Sequence, residues 1–220
     1  MNFKETLNKI ELAIEGEAHL DELAKKKQDP FKILISTILS ARTRDSNTRN
    51  ATERLFAKYN TPHLIAEAKI DELEELVKVS GFFKVKAARI KEVSKILVND
   101  YNSEVPTDFE DLINLPGVGA KTANCVLVYA FKIPAIPVDT HVFRVSNRLS
   151  WTQAKNPEQT EKILKKIVPK ELWIKINPVF VRFGQQICLP INPKCDTCPL
   201  SKICPKDFSI ENEKKKKVKK

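Results

Sequence analysis

The stretch Leu112-Ile-Asn-Leu-Pro-Gly-Val-Gly-Ala-Lys-Thr-Ala123 is the most informative part of this chain. Two glycines, Gly117 and Gly119, allow a backbone turn with positive φ and leave no side chain above it. Leu115 and Val118 would anchor that turn in a core. Backbone amides at the turn and at the start of the next helix would then point outward, where the helix dipole favours a phosphate. The pattern predicts a phosphate-gripping hairpin between two helices, and an ordinary helix–helix turn is the alternative.

The remainder of the chain has the composition of a globular helical protein. Apolar residues make up 42% of its 220 residues and charged residues 30%. Apolar residues recur at spacings of three and four, and strand-like alternation is scarce, so the all-α class is expected. No apolar run approaches the roughly 20 residues of a membrane span, and the first nine residues lack a signal-peptide pattern. We therefore expect a soluble intracellular protein.

Start and stop signals divide the chain into ten predicted helices. Asp29-Pro30 and Pro106-Thr-Asp108 are typical of helix starts, and Ser80-Gly81 is typical of a helix end. Residues 188–205 contain several prolines among four cysteines and cannot form a regular helix. The predicted helices cover residues 3–14, 31–41, 45–58, 71–78, 84–100, 107–113, 119–131, 139–149, 157–168 and 178–187.

The charge of the chain is strongly positive. The formal net charge is +10, of which residues 211–220 supply +4 through six lysines and two glutamates, so the body retains +6. Excess positive charge favours a polyanionic partner because neutralised phosphates release counterions. A lysine run of this kind is typical of a solvated tail, and we expect residues 211–220 to be disordered.

Lys121 and Asp139 are the candidate catalytic side chains. Lys121 follows Gly119 by two residues and so lies in the first turn of the predicted helix. A free lysine has a pKa of about 10.4, which a helix N-terminus and burial beside a substrate would lower, making the amine nucleophilic. Contact with a phosphate as a point charge is an equally good interpretation. Asp139, in Val138-Asp-Thr-His141, stands at a predicted helix N-cap and could also present its carboxylate to a substrate.

Four of the five cysteines lie within 17 residues near the C-terminus. Cys188, Cys195, Cys198 and Cys204 have intervening segments of six, two and five residues. Four thiolates in a short loop suit either a structural Zn²⁺ or a [4Fe–4S] cluster, and the spacing alone leaves both open. Cys125 lies on an apolar helix face and is expected to be a core residue.

The hairpin at 115–124, the Val-Asp-Thr-His segment at 138–141 and the cysteine spacing together resemble endonuclease III, the iron–sulfur branch of the helix-hairpin-helix DNA glycosylases. The similarity extends from about Phe31 to Lys206. It implies two helical lobes with a DNA-binding cleft between them. Residues 23–133 would form a six-helix bundle, and residues 1–22 would join 134–210 in a lobe that carries the cluster.

The resemblance also implies an activity and a set of site residues. It implies a bifunctional DNA glycosylase and AP lyase of base excision repair, in which Lys121 attacks C1′ of a flipped nucleotide and Asp139 assists. It favours [4Fe–4S] over zinc on the four cysteines, and a monomer that binds damaged or abasic duplex DNA. A monofunctional mismatch glycosylase and a non-enzymatic DNA-binding module are the alternatives. The implied DNA-binding residues are Leu115, Gly117, Val118, Gly119, Arg42, Phe82 and His141.

Two of these residues depart from the commonest pattern of the family. Arg42 stands where the family typically has Gln, at the side chain that fills the gap left by the flipped nucleotide. Phe82 stands where a leucine wedge is usual, and an aromatic ring could stack on exposed bases instead. A core position for Phe82, beside Phe83, is the alternative. Both changes leave the preferred lesion and the preferred opposite base open.

Overall fold

The computed structural model describes residues 2–16, 18–25 and 29–212, and all regular secondary structure within these ranges is helical. The predicted all-α class is therefore confirmed. A 3-10 helix, Lys170–Leu172, precedes the last α-helix. The α-helices are α1 (Phe3–Ala13), α2 (His19–Lys25), α3 (Pro30–Ser40), α4 (Asp45–Lys58), α5 (Pro62–Glu67), α6 (Ile70–Val77), α7 (Phe83–Asp100), α8 (Phe109–Asn114), α9 (Ala120–Phe131), α10 (Thr140–Arg148), α11 (Pro157–Ile167) and α12 (Trp173–Gln186).

The chain divides into two compact lobes. We call Ala18–Ile133 the hairpin lobe, and Met1–Glu17 together with Pro134–Lys220 the terminal lobe. The first boundary falls a few residues before the position at 22/23 that the sequence suggested. The reason is that α2 packs against α3, α4 and α9 and so belongs with the hairpin lobe.

The hairpin lobe contains eight α-helices among its described residues, two more than the six that the resemblance implies. The additional helices are the short α2 and α5, whose seven and six residues are too few to show a clear periodicity. α3 is the most deeply buried helix, with consecutive buried side chains from Ile33 to Leu39. It packs against α4, α7 and α9, so α9 and the hairpin before it are held by the core of this lobe.

Helix caps in the hairpin lobe follow the predicted signals. Asp29 Oδ1 accepts a hydrogen bond from the N–H of Phe31 at 2.8 Å, and Pro30 occupies the first turn of α3. Asp108 Oδ1 accepts from the N–H of Glu110 at 2.8 Å and caps α8. These bonds satisfy amides that a helix start leaves without intrahelical partners.

The terminal lobe has its own core, formed by α1, α10, α11 and α12. Trp151 lies between Phe3, at a ring-centroid distance of 4.7 Å, and Phe180, at 5.3 Å. α12 begins at Trp173, five residues before the predicted start, and contains Pro178 in its interior. Burial of Ile176, Phe180 and other residues of α12 offsets the backbone hydrogen bond that Pro178 cannot donate.

Residues 188–205 are free of regular α-helix, as predicted, and form an irregular loop after α12. The sequence predicts a disordered tail at residues 211–220, but Glu211 forms an ion pair with Arg148 and is ordered. Residues 213–220 lie outside the described residues. Among the residues described, no helix combines the length and the hydrophobicity that crossing a membrane requires.

Candidate active site and metal centre

The predicted hairpin joins α8 to α9 in the hairpin lobe. Leu115 and Val118 are buried and anchor the turn, and the N–H of Val118 donates to Leu115 O at 3.0 Å. Gly117 has φ +76°, so it uses the left-handed conformation that glycine was expected to supply. Gly119 instead has φ −99° and is the N-cap of α9.

The absence of a side chain at Gly119 serves a different purpose. A Cβ placed at this residue would meet no atom within 4 Å, so the space in front of the start of α9 is open. The N-terminal amides of a helix attract anions, and α9 has no side-chain cap at Gly119 to occupy them. The start of α9 therefore leaves room for an anionic group from outside.

Lys121 is the second residue of α9 and is half-buried. The positive end of the α9 dipole disfavours an additional positive charge in this first turn. The position thus joins an amine to an open anion-binding turn within one short segment. Both roles considered for Lys121, nucleophile and phosphate contact, are compatible with this location.

Arg89, which lies on α7, covers the hairpin turn. A Cβ at Gly117 would lie 2.5 Å from Arg89 Cδ and 3.0 Å from Nε, so the stem of Arg89 crosses directly over Gly117. The Arg89 residue is exposed. No described residue forms a hydrogen bond or ion pair with its guanidinium. Sequence reasoning does not select this residue, because its proximity to the turn is a tertiary contact.

Asp139 is in the terminal lobe, at the N-cap of α10, as its position in the sequence predicted. Its Oδ1 accepts hydrogen bonds from the N–H groups of His141, at 2.9 Å, and Val142, at 2.8 Å. Oδ2 has no hydrogen-bond partner among the described residues. The cap fixes the carboxyl group through one oxygen and leaves the other for a substrate, so the two roles considered for Asp139 are not exclusive.

His141 is half-buried on α10 and is held by Arg144. The Nη2 of Arg144 lies 3.1 Å from His141 Nδ1 and donates to Gly184 O at 2.9 Å. Arg144 also donates to Cys188 O, and burial lowers its pKa. Gly184 permits this packing, because a Cβ there would lie 2.6 Å from His141 Nδ1. These contacts connect the helix that carries Asp139 to the start of the cysteine loop.

Arg42 and Phe82 occupy adjacent turns of the hairpin lobe, after α3 and before α7. Both are exposed and both have positive φ, +52° and +58° respectively. The guanidinium carbon of Arg42 lies 5.8 Å from the centroid of the Phe82 ring, within the range of a cation–π contact. Phe82 is 64% exposed, so its interpretation as a core residue is wrong. The two turns present a cation and an aromatic ring side by side.

The four clustered cysteines line one cavity in the terminal lobe, together with apolar side chains such as Leu149, Phe183 and Leu200. In the part of the chain that the structure describes, no group of three or more His, Cys, Asp or Glu side chains is arranged to hold a single metal ion. The chemistry of this donor set, four cysteine sulfurs around one cavity, fits a [4Fe–4S] cluster, in which each thiolate binds a separate iron.

The sulfurs of this cavity receive N–H hydrogen bonds. Arg148 Nη1 donates to Cys188 Sγ, the Leu200 N–H to Cys198 Sγ and the Lys206 N–H to Cys204 Sγ, each at 3.4 Å. Such donors stabilise thiolates and sulfide clusters. Burial raises the pKa of the Cys198 and Cys204 thiols. Cys125 is buried apart from this cavity in α9, as expected of a core residue.

Arg148 is the main structural residue of this region that the sequence did not indicate. It is 3% exposed and forms a bidentate ion pair with Glu211. It also donates to Leu189 O at 2.6 Å and stacks on Phe208 at 4.7 Å. A lysine or arginine at the end of a helix is ordinarily a solvated charge, so only the fold reveals that this one is buried.

Comparison with known proteins agrees with the fold and the hairpin. Residues 35–170, more than half of the chain, match the HhH-GPD superfamily of base excision DNA repair proteins. Endonuclease III of Thermotoga maritima is 52% identical over 179 residues, which are 81% of this chain and 84% of that protein. The fold and the hairpin therefore define a helix-hairpin-helix protein of base excision repair.

Two solved structures extend the comparison to the whole fold. A non-covalent endonuclease III–DNA complex matches with a TM-score of 0.82 and 36% identity, covering 99% of this chain and 97% of that one. A trapped endonuclease III–DNA covalent intermediate matches with a TM-score of 0.78 and 37% identity, covering 97% and 100%. The chain belongs to the endonuclease III family of the HhH-GPD superfamily. It is a DNA glycosylase and AP lyase of base excision repair, as the sequence predicted. This family binds a [4Fe–4S] cluster.

Proposed function

We propose that this chain removes oxidised pyrimidines from duplex DNA and then nicks the strand, with Lys121 as its nucleophile. The observation that carries the proposal is the position of Lys121 in the first turn of α9, directly after an open, uncapped hairpin. A phosphate bound at the hairpin would place a sugar near this amine. A related protein of the family has been trapped as a covalent intermediate with DNA, which supports covalent chemistry in this chain.

The proposed reaction begins with a nucleotide rotated out of the duplex, because C1′ is inaccessible within the base stack. The neutral amine of Lys121 attacks C1′, the glycosidic bond breaks and the damaged base leaves. The sugar ring opens and a Schiff base forms between C1′ and Nζ. Loss of a C2′ proton then expels the 3′ phosphate and nicks the strand, and hydrolysis of the Schiff base regenerates the lysine.

Asp139 is the proposed carboxylate of the same reaction. Its Oδ1 is engaged as a helix cap, and Oδ2 can accept a proton from Lys121 or stabilise positive charge that develops on the sugar. The proposed DNA contacts are the hairpin residues Leu115, Gly117, Val118 and Gly119, and His141 in α10. Arg42 and Phe82 are proposed to enter the duplex at the flipped nucleotide.

The [4Fe–4S] cluster is proposed to bind Cys188, Cys195, Cys198 and Cys204. Support comes from the shared cavity and from the N–H donors that three of the four sulfurs receive. The four cysteines would hold the cluster, which would cross-link the loop, and the exposed Lys194 and Lys202 of that loop would then face the DNA backbone. Iron and sulfide analysis with visible absorption would test this. Cys195→Ala should lose the cluster and Cys125→Ala should keep it; zinc without iron in the purified protein would contradict the proposal.

A panel of duplexes tests the activity. Each duplex carries an oxidised pyrimidine, an oxidised purine, a uracil mismatch or an abasic site, and base release and strand nicking are measured separately. We expect release and nicking on oxidised pyrimidines, nicking at the abasic site and neither in Lys121→Ala. Lys95→Ala, an exposed lysine of α7, is the matched control and should retain both. Base release without nicking would indicate a monofunctional glycosylase, and DNA binding without either would indicate a non-enzymatic module.

The proposed form in solution is a monomer on damaged or abasic duplex DNA. Light scattering of the protein with and without a short abasic duplex should give one chain per duplex. A dimer in both conditions would contradict this part of the proposal.

A further inference from the structure

Lys86 is the buried cation of the hairpin lobe that the proposed reaction does not use. It lies on α7 and is only 3% exposed. Its Nζ donates to Leu39 O at 2.8 Å and to Thr43 Oγ1 at 2.6 Å. Neither acceptor is an acid, so the fold buries this ammonium group without neutralising it. Buried charges without an ionic partner are unfavourable, which suggests a role other than stability.

The acceptors of Lys86 belong to the turn that carries Arg42. Leu39 O is one of the last carbonyls of α3, which lack intrahelical partners and carry the negative end of the helix dipole. The Thr43 hydroxyl in turn lies 3.3 Å from Ala41 O, and the Thr43 N–H donates to Ser40 O at 3.1 Å. The ammonium group therefore fixes both ends of the turn that holds Arg42 in its left-handed conformation.

The backbone of Lys86 fixes the other turn. Its N–H donates to Phe82 O at 3.1 Å, closing the first turn of α7 next to the left-handed Phe82. The two turns lie close together, since a Cβ built on Gly81 would lie 3.4 Å from Arg42 O, an ordinary contact distance. One residue thus holds the Arg42 turn through its side chain and the Phe82 turn through its backbone.

We propose that Lys86 is a positioning residue that joins Arg42 and Phe82 into one rigid unit, which reads the base opposite the lesion. This inference rests on the proposed entry of these two side chains into the duplex. Positive φ at non-glycine residues is unfavourable and persists only where surrounding contacts enforce it. Without the ammonium group, the Arg42 turn can relax, and the guanidinium loses its fixed distance from the ring. Burial lowers the pKa of Lys86 to about 8, because an ammonium group held away from water is less stable than one in solvent.

The test is Lys86→Met, which keeps an unbranched side chain and a similar helix propensity but removes the ammonium donors. Single-turnover base release is measured on four duplexes, in which the same lesion stands opposite each of the four bases. Nicking of an abasic site in single-stranded DNA is measured in parallel. We expect the rate of base release to fall about tenfold, which corresponds to the loss of one charged hydrogen bond. We also expect the rates measured with the four different opposite bases to become more similar to one another. Nicking of the single strand, which has no opposite base, should stay within about twofold of the unaltered protein. Lys95→Met, at an exposed position of α7, should change neither.

Two further variants separate positioning from folding. Thr43→Val removes one acceptor with little change of shape and should give a smaller loss in the same direction. In an Arg42→Ala background, Lys86→Met should add less than about twofold, because the residue that it positions is already absent. Equal losses on single-stranded and duplex DNA, unchanged discrimination between opposite bases, or full additivity with Arg42→Ala would overturn the proposal. Absence of all nicking in the unaltered protein would instead contradict the proposed function.

A separate observation concerns Arg89, whose stem crosses Gly117. Its guanidinium is exposed and, among the described residues, has no hydrogen-bond or ionic partner. Because the turn below it presents amides to an anion, we infer that Arg89 binds a DNA phosphate beside the one held by the hairpin. This contact would be independent of sequence and of damage.

Salt dependence tests this inference. Removal of one phosphate contact lowers the slope of log K against log salt concentration by about 0.9. Arg89→Ala should show this reduction and weaken binding equally on damaged and undamaged duplexes, whereas Lys95→Ala should leave the slope unchanged. An unchanged slope in Arg89→Ala, or a loss confined to damaged DNA, would overturn the inference.

Discussion

The two hairpin glycines should respond differently to the same substitution. Gly117 has φ +76°, where a residue with a Cβ is less stable by about 1–2 kcal/mol. The new methyl group would also displace the stem of Arg89, whose Cδ would be 2.5 Å away. Reduced entropy of the unfolded chain offsets about 0.4–1 kcal/mol. Gly117→Ala should therefore lower the free energy of unfolding by about 1 kcal/mol, or the Tm by about 2–4 °C for a chain of this size.

Gly119→Ala should leave stability almost unchanged. Its φ of −99° suits any residue, and a Cβ there meets nothing within 4 Å. The weaker N-cap preference of alanine is balanced by the entropy gained in the unfolded state, so the change should stay within about 0.5 kcal/mol. The methyl group would, however, project into the space proposed for the phosphate. Loss of one charged hydrogen bond, about 1.5–3 kcal/mol, corresponds to about 10–100-fold weaker DNA binding.

Denaturant unfolding and fluorescence anisotropy with an undamaged duplex measure the two effects in the same samples. We expect the Gly117→Ala protein to be less stable, and the Gly119→Ala protein to be as stable as the unaltered protein but to bind DNA poorly. Normal DNA binding by Gly119→Ala would contradict this expectation, because the DNA backbone would then not dock in the open space at this turn.

Three further predictions follow from the geometry of single residues. Asp139→Asn keeps the Oδ1 acceptor of the α10 cap, so its unfolding curve should match that of the unaltered protein while single-turnover base release falls. Asp139→Ala removes the cap as well and should also lower the free energy of unfolding by about 1 kcal/mol. Phe82→Gly removes an exposed side chain from a residue whose backbone is left-handed, a conformation that glycine adopts without strain. Thermal stability should therefore not decrease, whereas base release should. A marked fall in Tm would show that the ring packs against the protein instead. The pKa of Lys86 is lowered to about 8 in the folded protein, so above that pH the unfolded state binds more protons than the folded state. The free energy of unfolding should therefore rise by about 2 kcal/mol between pH 7.5 and 9.5. Denaturant unfolding at several pH values should show this rise in the unaltered protein and not in Lys86→Met.

The sequence predicted the elements that local chemistry determines. The caps at Asp29 and Asp108 and the hairpin turn follow from side-chain chemistry and glycine within a few residues, and the structure has them as expected. The sequence did not predict the short α5 or a helix that continues through Pro178. Burial in the tertiary structure stabilises both helices, although α5 is too short to show a periodicity and proline normally interrupts a helix.

Within the candidate site, tertiary contacts were the least predictable feature. Lys86 shares the apolar face of α7 with Ile90, Val93 and Leu97, and that spacing is the one signal that could have marked it as buried. The contact between Arg42 and Phe82 joins two turns that are about forty residues apart in the sequence, and neither segment contains a local pattern that predicts it. Arg89 was missed for the same reason.

Borohydride trapping followed by peptide mapping tests the central claim about Lys121 most directly. The full chain with its cluster is incubated with an abasic duplex, reduced, digested and analysed by mass spectrometry. We expect one protein–DNA adduct, carried by the peptide that contains Lys121 and absent in Lys121→Ala but present in Lys95→Ala. An adduct on another residue, or none from folded protein that nicks the duplex, would contradict the assignment of Lys121 as the nucleophile.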